Sequence, residues 1–130
     1  MSSPNLIFNS QLTLAQVPDL DVRSLDTNGW LDDESQGGRW KTLWEFALTF
    51  NGWKYFGDDD NVVPRLAAFD ESIRAAFDQT GHLPTIDLAL LRACLFYEQR
   101  LLCKYSMRGP DDQRKSYLQA LLDAIRAAIS

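Results

Sequence analysis

The stretch Leu91-Arg92-Ala93-Cys94-Leu95-Phe96-Tyr97-Glu98-Gln99-Arg100-Leu101-Leu102 decides the fold. It contains no Gly or Pro, and its apolar residues recur three and four positions apart. Residues at those spacings share one face of a helix. Leu91, Cys94, Leu95, Leu101, Leu102 and Tyr105 surround Glu98 at these spacings, so a carboxylate falls in the middle of a core seam. A buried acid must be neutralised, paired or hydrogen-bonded. The spacing predicts a helix over Thr85–Met107, with Thr85 as N-cap and Gly109–Pro110 as the stop.

Working outward, the same periodicity predicts a helix on either side. Pro64 suits a first helical position, and Gly81 after Thr80 suits a terminator. Leu66, Phe69, Ile73 and Phe77 form the expected buried stripe between them. Beyond Gly109, the run Pro110-Asp111-Asp112 places acids at the positive end of a helix dipole. That last helix carries the stripe Leu118, Leu121, Leu122, Ile125, Ala128 and Ile129, with Asp123 and Arg126 pointing away.

The segment from Arg39 to about Phe50 has two readings. Trp40, Leu43, Trp44 and Ala47 follow helical spacing, while Asn51-Gly52 between Phe46, Leu48, Phe50 and Trp53, Tyr55 is a strong hairpin signal. Helix is the better reading, because the rest of the chain offers no strand to complete a sheet and a lone hairpin is marginal. Asn51-Gly52 then acts as a left-handed helix stop. Residues 1–38 have no sustained period and are expected to form an irregular arm packed on the body, with one short helical turn around Leu12–Val17. The expectation is an all-α fold: a single-domain bundle of about four helices over residues 39–130 plus that arm.

Composition narrows the function classes. At 130 residues the chain suits one domain, and its formal net charge of −5 disfavours nucleic acid, since Lys and Arg are scattered. No stretch reaches the ~20 apolar residues of a membrane span. Residues 1–18 lack the basic start and apolar core of a signal peptide, so a cytoplasmic location is expected. Cys94 and Cys103 lie about 13 Å apart along one helix axis on opposite faces, too far for a disulfide.

Glu98 is the first candidate site, either a structural acid bonded to a Trp, Tyr or Arg of another helix or a pocket carboxylate. Catalysis lacks collaborators. His82 is the only histidine, no catalytic motif is present, and Asp87 lies on the order of 16 Å from Glu98 along the helix. No catalytic residue, metal or cofactor is expected. The opposite helix face gathers Arg92, Phe96, Arg100 and Met107, an interface-like composition, although a helix covered on both sides would show the same pattern. Asp58-Asp59-Asp60 reads as a solvated acidic loop or as half of an electrostatic docking surface. Residues 24–35 partly match a calcium loop but lack both outer carboxylates, which favours an Asx-type turn.

The expected function is therefore a non-catalytic, small acidic protein-binding module: an inhibitor, immunity-type protein, adaptor or assembly subunit. Its partner is expected to be another protein, basic in charge, or a second copy of itself, without nucleic acid or membrane. Two alternatives stand beside it. One is a small-molecule sensor or minor enzyme built on Glu98; the other is a self-associating structural protein.

Overall fold

The computed structural model describes residues 12–31, 35–50, 62–105 and 109–129. Among the described residues the chain is an all-α bundle of four helices with no strand. They are α1 (Arg39–Leu48), α2 (Val62–Thr80), α3 (Leu88–Arg100) and α4 (Asp112–Ile129). Short 3-10 turns at Leu14–Gln16, Val22–Ser24 and Thr27–Gly29 punctuate the arm.

α3 is the centre, packing against α1, α2 and α4. Its seam buries Leu91, Cys94, Leu95 and Glu98, while Ala89 and Ala93 bring α2 close enough for Leu66 to pack on them. α4 presents Tyr117, Leu118, Leu121, Leu122 and Ile125, all essentially without solvent exposure. Each such Leu or Ile contributes about 1.5–3 kcal/mol relative to remaining exposed. Trp40 and Trp44 stack with centroids 5.5 Å apart on the inner face of α1.

Several boundaries differ from the sequence expectation. α3 starts at Leu88, not after Thr85, because Asp87 is the cap: its carboxylate accepts from Leu90 N at 3.0 Å. A charged oxygen also suits the positive end of the helix better than a hydroxyl. After Arg100 the helix widens into a π turn over Leu101–Tyr105. α2 starts at Val62, which puts Pro64 inside the first turn, where its missing N–H has no helical partner to lose. Gly81, with φ 77°, closes that helix by donating its N–H to Phe77 O at 2.7 Å. α1 ends at Leu48, and Asn51–Gly52 lie outside the described residues.

The arm is fastened by side chains from two helices. Trp40 Nε1 donates to Asp26 O at 2.9 Å, and Trp44 Nε1 to Trp30 O at 2.8 Å. Gln119 accepts from Val22 N at 2.6 Å and donates to Leu20 O. Arg126, expected to point away, instead donates to the carbonyls of Val17 and Pro18; Ala128, expected in the stripe, is exposed. These bonds seat Val17, Val22 and Leu25 in the main core. Gly109 lies so close to this arm that a Cβ there would collide with the Trp30 ring and the Thr27 methyl.

Candidate functional site

Glu98 is fully buried, and it is not alone. Three helices each contribute two polar side chains one turn apart: Asp70 and Arg74 from α2, Cys94 and Glu98 from α3, Arg114 and Tyr117 from α4. Arg74 Nη1 stands 2.6 Å from Glu98 Oε2 and 3.0 Å from Asp70 Oδ2, so one guanidinium nitrogen bridges both acids. Tyr117 donates its hydroxyl to Asp70 Oδ1 at 2.8 Å. Arg114 Nη1 lies 3.0 Å from Glu98 Oε1, an ion-pair distance, yet off the direction of a hydrogen bond, which leaves that oxygen without a well-aligned donor. The two arginines reach the surface at their outer edges while both acids remain fully buried.

Burial sets the protonation here. Desolvation, the hydrogen bond to Glu98 and the Glu98 charge push the Asp70 carboxyl up to about 9, against the pull of Tyr117 and Arg74. Desolvation, then the nearby Asp70, pushes both the Tyr117 phenol and the Cys94 thiol above their ordinary ranges. Tyr117 and Cys94 are therefore neutral, and neither serves as a nucleophile at ordinary pH.

Asp70 overturns the expectation that no second acid meets Glu98. Asp87, which lies on the same face of the helix as Glu98, caps the start of α3 instead. The signal was present in α2: Leu66, Asp70, Ile73 and Phe77 follow spacings of four, three and four, and these four are the helix's buried residues. Phe69, placed in the stripe by the sequence, is only half-buried. An apolar residue one position away masked the acid in the seam.

The other face of α3 divides into a covered part and an open part. Arg92 is covered, with its guanidinium 4.9 Å over the Phe46 ring and Nη2 donating to Thr49 Oγ1. Desolvation lowers it to about 10. This buried residue ties α3 to α1. Phe96 is half-buried against Phe50, with centroids 5.6 Å apart. One turn further on, Phe96, Gln99, Arg100, Cys103 and Lys104 line a half-open groove of about 310 Å³ with Leu48 of α1. Its far wall is the π turn, a distortion that recurs at functional sites. Leu48 is 54% exposed, and Cys103, half-buried, has its thiol pushed up to about 11 by desolvation. Met107, Asp58, Asp59 and Asp60 lie outside the described residues.

In the partial calcium loop, Asp26 accepts from Asn28 N at 3.0 Å, an Asx turn, while residues 32–34 lie outside the described set. Among the described residues, no group of three His, Cys, Asp or Glu side chains could hold a metal ion. No helix among them is long and apolar enough to cross a membrane. No family model, no curated protein and no solved structure matches the chain.

Proposed function

We propose that the chain is a non-catalytic protein-binding module whose contact surface is the groove between Leu48 and the π turn after α3. The observation that carries this reading is the groove itself. An exposed leucine and a half-buried phenylalanine offer apolar surface beside the guanidinium of Arg100 and the ammonium of Lys104. At about 310 Å³ it suits one large apolar side chain with polar groups at the rim. The partner segment is accordingly an apolar anchor flanked by carboxylates. That sign is opposite to the basic partner suggested by the net charge of −5, because recognition follows local potential and not the sum over the chain.

The Glu98 cluster supports the non-catalytic reading. Its carboxylate faces two arginines in the core, and the groove lies elsewhere on α3.

The test uses wild-type chain and the surface variants Leu48→Glu and Lys104→Glu as bait in extract of the cells that make it. A stoichiometric partner held by wild type should bind each variant at least about tenfold more weakly, with helical circular dichroism unchanged. Equal binding by all three baits removes the groove from the interface. If wild type instead forms a dimer by light scattering that Leu48→Glu dissociates, the self-association reading takes its place.

A further inference from the structure

The groove between Leu48 and the π turn is short: about 310 Å³, room for one large side chain. Its two charged lining residues, Arg100 and Lys104, are both cations, and among the described residues no acid lines it. Gln99 adds a side-chain amide, and Cys103 stays a neutral thiol because desolvation holds its proton. The groove therefore matches an anion beside an apolar group, and both must fit in the space of one residue.

Proteins recognise segments of their partners in a few recurring ways, and the fold removes most of them. Strand addition needs a sheet edge, and no strand occurs among the described residues. An amphipathic helix needs anchors from i to i+7, spread over roughly 10 Å, where this groove seats one. A proline-rich segment needs an aromatic-lined trough, and Phe96 is the single aromatic among the described lining residues. Phosphate readers cluster arginines, and Arg100 is the single arginine among them. Capture of a chain end remains. At a C-terminus the carboxylate and the last side chain branch from the same Cα, so one residue supplies both contacts. That carboxyl is ionised near neutral pH, its ordinary pKa being about 3.5.

We propose that the groove captures the C-terminus of a partner protein, seating an apolar last side chain between Leu48 and Phe96 and its α-carboxylate against Arg100 and Lys104. The partner is thereby narrowed to a protein that ends in an apolar residue, a step that rests on the groove being the contact surface. Gln99 is placed to offer its amide to the same carboxylate. Leu48 and Lys104 are exposed, so a chain end can reach both without any helix moving.

The test is an NMR titration of the full chain with N-acetylated hexapeptides ending in phenylalanine, leucine or isoleucine. Each is made as the free acid, as the C-terminal amide, and as the free acid extended by two glycines. At least one free acid should bind with a dissociation constant below about 1 mM and shift the signals of Leu48, Phe96 and Lys104. Its amide and its extended form should bind at least about tenfold more weakly. Arg100→Gln and Lys104→Gln should each erase most of the advantage of acid over amide, and about 1 M salt should shrink it. Leu48→Ser should weaken acid and amide alike. Equal binding of acid, amide and extended peptide overturns terminal capture and leaves the groove as a site for an internal segment. Shifts confined to other surfaces, or none up to about 5 mM of any peptide, overturn terminal capture as well. The groove itself is decided separately, by the bait experiment with Leu48→Glu and Lys104→Glu.

Discussion

Tyr117 and Asp70, forty-seven positions apart in the chain, meet in the core through a 2.8 Å hydrogen bond from the phenol to the carboxyl. Neither is exposed to solvent. This bond joins α4 to α2, and Glu98 of α3 completes the junction through Arg74. The bundle therefore has a polar centre built from all three of its longer helices. Buried networks of this kind raise the penalty for any packing that leaves a member unpaired.

Tyr117→Phe keeps the ring against Phe77, 5.6 Å away, and removes only the hydroxyl. Asp70 Oδ1 then loses its donor, and stability should fall by about 1–3 kcal/mol in urea denaturation with an unchanged slope. The Tyr117 bond is also one of the two influences that lower the Asp70 carboxyl. Its ionisation should consequently move to still higher pH in the variant, a readout that a packing defect would not shift.

Glu98→Gln leaves Arg74 and Arg114 facing an amide instead of a carboxylate. Breaking a buried pair by removing one partner costs on the order of 3 kcal/mol. The loss should shrink markedly when Arg74→Met is combined with it, because the orphaned guanidinium is gone. A double-mutant cycle by chemical denaturation checks this. Strict additivity of the two substitutions would mean that Arg74 and Glu98 do not interact.

The two thiols should differ in reactivity. Cys103 is half-buried with its thiol pushed from 9.0 to about 11, so its thiolate fraction near neutrality is about 100-fold below that of a free thiol. Cys94 is fully buried and should label only when the chain opens. Timed modification with a chromogenic disulfide reagent should show one slow thiol and one that appears only with unfolding. Two thiols reacting at the rate of a small peptide would contradict the burial of α3.

The helical bundle was legible because amphipathic spacing is a local property. The seam Leu91, Cys94, Leu95 and Glu98, and the stripe Leu118, Leu121, Leu122 and Ile125, follow from a period of 3.6 alone. Capping was less legible. Thr85 and Asp87 are both acceptable caps by residue type, and the choice fell to whichever residue the turn after Gly81 delivered to the start of α3.

Glu98 could be read from the sequence as a charge inside a seam, since its neighbours at helical spacing are apolar whatever they pack against. Its company could not. Periodicity states which side of a helix faces inward, but it carries no information on which residues of different helices arrive at the same depth. Asp70, Arg74, Arg114 and Tyr117 meet Glu98 because α2 and α4 dock on α3 in one register, and only long-range packing sets that register. The same holds for Arg92 and Arg100, two turns apart on α3: α1 covers the first and stops at Leu48, which leaves the second beside an open groove.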